Sequence, residues 1–170
     1  MERAVARGDL LMATAIVKAA VRGPQDTSPV SEESTTPDLV KLTRQLFEAV
    51  SRGDLEPLAS LWAPDAVLDA SDAGLGTFEG VEAIGQFFED WHGSFEDYRF
   101  EEEEILDLGH GVVLSIVRES ARLAGGEGRV EQRALQVWIW ANGKLEWLKA
   151  YANPDEARAA AERLARERGG

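Results

Sequence analysis

"RVEQRALQVWIWANGKLEWLKAY", Arg129 to Tyr151, holds three of the chain's five tryptophans around one Asn-Gly pair. Asn142-Gly143 is the strongest short hairpin signal, because both residues tolerate positive φ. The flanks therefore read as two antiparallel strands joined through "ANGK". Side chains of a strand alternate between its faces. Ala134, Gln136, Trp138 and Trp140 fall on one side, and Arg133, Leu135, Val137 and Ile139 on the other. Both sides are largely apolar in the second half, so this strand is expected to be buried on both faces. The rings either fill a core or line a cavity.

Two further strands precede the hairpin, "YRFEEEEILDLG" and "GVVLSIVRESARL", followed by the glycine-rich loop "AGGEG". Earlier still the period changes to that of helices. In "TTPDLVKLTRQLFEAVSRGDL", Thr36 suits a cap and Pro37 the first helical position. Leu39, Leu42, Leu46 and Val50 recur at helical steps, with Phe47 beside them, and predict one buried face. Asp54 opens a shorter helix, "DLEPLASLWAP", stopped by Pro64; "DAVLDA" reads as a short strand and "SDAGLGTFEG" as a loop. The third helix is "GVEAIGQFFEDWHG", with Val81, Ile84, Phe87, Phe88 and Trp91 as its stripe and Gly93 as its stop. After Tyr151, "NPDEARAAAERLARERGG" predicts a terminal helix capped by Asn153. The order gives an α+β fold, with helices laid on one face of a curved antiparallel sheet.

A chain of 170 residues suggests one domain. Its net charge of -13 repels phosphate backbones and anionic lipid, so neither nucleic acid nor a membrane surface is an expected partner. Without cysteine there is no disulfide, thiolate zinc site or thiol nucleophile, and the two histidines, His92 and His110, make no metal centre. No metal or cofactor is expected. No apolar run reaches the roughly 18 residues of a membrane span, and no targeting signal stands out, which leaves the cytoplasm as the expected location. Residues 1–36 differ in composition. "LLMATAIVKAAV" precedes a Pro/Ser/Thr-rich linker, and three readings stay open: a poorly ordered tail, a docking helix, or an upstream start with Met12 as the internal one. The folded domain is expected over 37–164.

The stretch "LVKLTRQLFEAVSRGDLEPLASLWAPDAVLD", then "FEGVEAIGQFFEDW" and "VEQRALQVWIWANGKLEWLKAYANPDEARAA", resembles the SnoaL-like branch of the nuclear transport factor 2-like superfamily. Ketosteroid isomerase and polyketide cyclases belong to the same superfamily. The resemblance covers about Asp38 to Ala160 and rests on the "GDLE" break, the "G-x-E-A-I" helix start and the "W-x-x-x-N-G-K" hairpin. It implies a cone: three N-terminal helices close over the concave face of the sheet around an apolar pocket. It also implies a homodimer through the convex face and a small apolar molecule as ligand.

Ketosteroid isomerase uses an aspartate base with a tyrosine and a protonated acid as oxyanion hole. Carried over individually, the base position falls on Ala70, with Asp69 just before it. The tyrosine position falls on Leu46 and the acid position on Gln136, while further pocket tyrosines align near Trp62 and Phe88. Leucine cannot donate, alanine cannot take a proton, and glutamine does not titrate, which argues against ketosteroid isomerisation. Asp69 is then the candidate catalytic carboxylate, reached by a one-residue slip that could instead favour Asp72. Gln136 is the candidate orienting group for a ligand carbonyl, and Leu46, Trp62, Ala70, Phe88, Trp91 and Trp138 complete the expected pocket wall. The rival reading is a non-catalytic dimeric module whose cone is plugged by its own rings. Arg118-Glu119 reads as a cross-strand charge pair with Glu131 or Arg133, and Glu101 to Glu104 as a solvated strand edge.

Overall fold

A computed structural model describes residues 37–170. The expectations for residues 1–36, Met12 included, lie outside the described residues. Four helices and six strands follow one another: α1 (Leu39–Arg52), α2 (Leu55–Leu61), β1 (Trp62–Ala70), β2 (Gly76–Glu79), α3 (Val81–Ser94), β3 (Phe95–Gly109), β4 (Val112–Leu123), β5 (Arg129–Ala141), β6 (Lys144–Tyr151) and α4 (Pro154–Gly169).

Local chemistry accounts for most boundaries. Asp38 caps α1, accepting a hydrogen bond from the Lys41 backbone N–H at 3.1 Å. The first α1 residue is accordingly Leu39, not Pro37. Trp62, expected in the second helix, instead starts β1. The stretch read as a glycine-rich loop contains a 3-10 turn at Ser71–Ala73 and the strand β2, which pairs antiparallel with β1. Gly93 does not stop α3, which runs on to Ser94. At the β5–β6 turn, Asn142 and Gly143 take φ of 54° and 76°, as an Asn-Gly hairpin requires.

The strands form one sheet in the order β2-β1-β6-β5-β4-β3. It is antiparallel except where β1 runs parallel to β6, a pairing that only a long connection permits. Register shifts in β1, in β3 and between β5 and β6 bend it. Helices α1, α2 and α3 lie on the concave side, where Leu46, Phe47, Ile84, Phe88 and Trp91 meet Leu68, Val113, Trp138, Trp140 and Leu148 in the main core. A second core lies on the convex side: Ala157, Ala161 and Ala165 of α4 cover Val112, Leu114, Ile116, Leu135 and Val137. The face expected to meet a partner copy is thus covered over β4 and β5 by the chain's own last helix. The alanine row lets α4 sit close to the sheet.

Candidate functional site

Period-two alternation fixes which side chains of each strand reach the concave interior. From β1 these are Ala66, Leu68 and Ala70; from β5, Ala134, Gln136, Trp138 and Trp140; from β6, Leu145, Leu148 and Ala150. Leu46, Trp62, Phe88 and Trp138 come together on the concave side. With Leu58 and Leu148 they surround a void of about 10 Å³, room for one water at most. Phe47 packs edge-on against Trp138 at 5.2 Å between ring centres. Trp138 and Trp140 are parallel within 2°. The Trp140 indole donates to Thr43 of α1 at 3.2 Å, which ties the helix to the sheet.

Gln136 is fully buried on this face. The Trp138 indole N–H donates to Ser115 Oγ at 2.9 Å, and the Ser115 hydroxyl donates to Gln136 Oε1 at 2.8 Å. Among the described residues Gln136 Nε2 has no acceptor, nor have the buried indole nitrogens of Trp62 and Trp91. Ala70 is also fully buried and offers no polar atom.

Asp69 goes the other way. Its neighbours Leu68 and Ala70 point into the cone, so its carboxylate lies on the convex side and meets Lys149 Nζ at 3.3 Å. Ser71 N–H donates to it at 3.0 Å, and Asp72 takes up the same lysine at 3.5 Å. Partial burial pulls the Asp69 carboxyl upward, but the Ser71 hydrogen bonds and the Lys149 charge outweigh it and hold it below its ordinary value. For Lys149 burial pulls downward, and Asp69 and Asp72 reverse that and raise it. The geometry of Asp69 is that of a structural ion pair outside the cone, and the feared slip in the loop does not turn it inward.

The carboxylate that does enter the cone is Glu119. On β4, Arg118 points outward to Glu103 at 3.2 Å, and Glu119 points inward with 2% of its surface exposed. Across β4–β5, Arg118 lies opposite Arg133 and Glu119 opposite Gln132. The Tyr98 hydroxyl of β3 donates to Glu119 Oε1. Trp91 stands edge-on to the Tyr98 ring at 5.0 Å, and Phe100 lies 6.0 Å from it. Burial first, then the Glu119 charge and hydrogen bond, push the Tyr98 hydroxyl well above its ordinary value, so it stays a neutral donor. Alternation showed that one of Arg118 and Glu119 must face inward, but not which one. A tyrosine on the preceding strand was the signal that could have settled it.

The acidic run lies on the edge strand β3, where Glu101 and Glu103 are exposed and three of the four acids pair with arginines. Glu102 bonds Arg44 of α1 through both oxygens at 3.0 Å, and Glu103 meets Arg133 at 3.0 Å. Glu104 reaches Arg158 of α4 at 2.7 Å. A bulge between Glu102 and Glu104 spreads these acids over both faces. Among the described residues no three His, Asp or Glu side chains gather as a metal site, and no helix is long and apolar enough to cross a membrane.

Solved structures share this architecture. An NTF2-like protein of unknown function from Burkholderia pseudomallei aligns over 74% of this chain and 98% of its own, at 19% identity and a TM-score of 0.59. An epoxide hydrolase of the LEH-like type from M. tuberculosis aligns over 73% and 89%, at 14% identity and 0.58. A putative polyketide cyclase from Sinorhizobium meliloti aligns over 65% and 93%, at 24% identity and 0.54. At such identities the likeness concerns the fold. No curated protein matches the sequence. The family model of the SnoaL-like domain matches residues 43–147, more than half of the chain, and the matched span runs from α1 to β6. By that match the chain belongs to the SnoaL-like domain family.

Proposed function

We propose that residues 37–164 bind a small apolar molecule on the concave side of the sheet and act on it by proton transfer. Glu119 is the acid–base group, Tyr98 its hydrogen-bonding partner, and Gln136 the donor that orients the ligand. One observation carries the reading: a carboxylate 2% exposed, bonded to a phenol inside an aromatic wall. A proton-transfer group works best in such a water-poor setting, where burial and a fixed hydrogen-bonding partner tune its acidity. Asp69, the base expected from sequence, is engaged by Lys149 on the outside, so its assigned part passes to Glu119.

The test is deuterium exchange at the acidic carbon of β-tetralone, an apolar ketone, followed by NMR. The protein accelerates exchange, Glu119→Gln lowers the rate at least about 100-fold, Tyr98→Phe lowers it less, and Asp69→Asn leaves it unchanged. Equal rates for the parent chain and Glu119→Gln, with both folded, would falsify the assignment.

The small size of the void beside Trp62 and Trp138, about 10 Å³, favours a second reading: a non-catalytic module whose cone is filled at that end. In either case a homodimer is the assembly we infer. Val67, Trp147 and Ile139 form one row across β1, β6 and β5 on the convex side. All three stay half-buried, an apolar strip suited to a second copy.

A further inference from the structure

We infer that Ser115 is a positioning residue: it fixes the Gln136 amide so that only N–H donors face the ligand, and thereby selects molecules with an acceptor oxygen. This rests on the ligand-binding reading above and adds the specificity device.

An indole N–H can only donate. Trp138 donates to Ser115 Oγ at 2.9 Å, which occupies a lone pair and leaves the hydroxyl proton to be given away. That proton goes to Gln136 Oε1 at 2.8 Å. The amide oxygen is thereby spoken for, and Nε2 is left buried with no acceptor among the described residues. A buried amide N–H without a partner is a standing cost, removed when something supplies a lone pair. Trp138 is itself held by its ring contact with Phe47 of α1, so the start of the relay is anchored to a helix.

The side chains nearest the amide along the sheet are small. Gln136 pairs with Ala150 across β5–β6, and its neighbour on the same face of β5 is Ala134. Ala150 also lines a cleft of about 200 Å³ at the rim where β6 ends, walled by Asp72, Gln132, Arg133 and Tyr151. Glu119 lies on the same face of β4, about 13 Å along the strand from Ser115. A ligand held at both points is elongated, with a carbonyl-type oxygen at the Gln136 end.

The experiment uses the full chain and two matched molecules, acetylnaphthalene and isopropenylnaphthalene, which differ in an oxygen against a methylene. Indole fluorescence reports binding, and the carbonyl stretch of the bound ketone reports the hydrogen bond. The parent chain binds the ketone about 10-fold tighter than the hydrocarbon and lowers its stretching frequency. Ser115→Ala brings the ratio towards one and relaxes the frequency shift, while Ser115→Thr, which keeps the hydroxyl, restores both. Gln136→Leu abolishes the preference but retains hydrocarbon binding. A preference that survives in a folded Ser115→Ala chain overturns the role of Ser115. Equal binding of both molecules to the parent overturns the donor-only presentation and leaves the ligand-binding reading standing. Absence of binding for both overturns the two together.

Discussion

Lys149 and Asp69 are the residues whose chemistry most changes meaning between sequence and structure. In the sequence they lie on separate strands, one of them a candidate base. In the fold they are adjacent across the parallel β1–β6 pairing. Their side chains are 18% and 23% exposed, so screening is incomplete and the pair contributes about 1 kcal/mol. The sign follows from the two shifts. The carboxyl of Asp69 is lowered, so its share is present above the ordinary carboxylate range and is lost as pH falls through the folded value. The ammonium of Lys149 is raised, so its share is present below the ordinary lysine range and is lost as pH rises through the folded value. Lys149→Met is therefore expected to lower stability by about that amount near neutrality and to flatten the acid limb of a urea-melt series. An unchanged acid limb counts against the pairing. Glu119 shows the limit of residue-level reading. Its partner Tyr98 is 21 positions away, and no local pattern says that Glu119, and not Arg118, turns inward.

Among the elements, α4 was the most legible and the least understood. Asn153 accepts from the backbone N–H groups of Asp155 at 2.8 Å and Glu156 at 3.2 Å, and Pro154 starts the helix. Acids near this end and bases near the other complement the helix dipole. Asn153→Ala should cost about 1 kcal/mol in a denaturant melt, while Asn153→Asp keeps most of the stability. An alanine variant as stable as the parent would mean that the cap is not what holds this end. What the sequence left open was where α4 goes. Its alanine face packs on the convex side of β4 and β5, and Arg158 locks it to Glu104 of β3. The helix thus accounts for part of the second buried face that the hairpin pattern demanded.

For the whole molecule, that placement divides the convex surface between α4 and the remaining strip of Val67, Trp147 and Ile139. If two copies meet there, Trp147→Glu buries a charge in the contact and should give a monomer by sedimentation velocity, with deuterium exchange on β-tetralone retained. A parent chain that sediments as a monomer at all concentrations removes the dimer from the account. The concave side is independent of this outcome, because Glu119, Tyr98, Ser115 and Gln136 all come from one chain.

The sequence by itself determined the helix and strand order apart from β2, the face alternation of β5, the Asn142-Gly143 turn, the Asn153 cap and the family. These depend on period, turn chemistry and caps, which act over a few residues. The tertiary structure alone decided the parallel pairing of β1 with β6, the outward turn of Asp69 and the inward turn of Glu119. It also decided the assignment of Glu102, Glu103 and Glu104 to separate arginines and the cover that α4 lays over β4 and β5. Each of these joins segments far apart in the chain, where bulges reset the register and packing outweighs local preference.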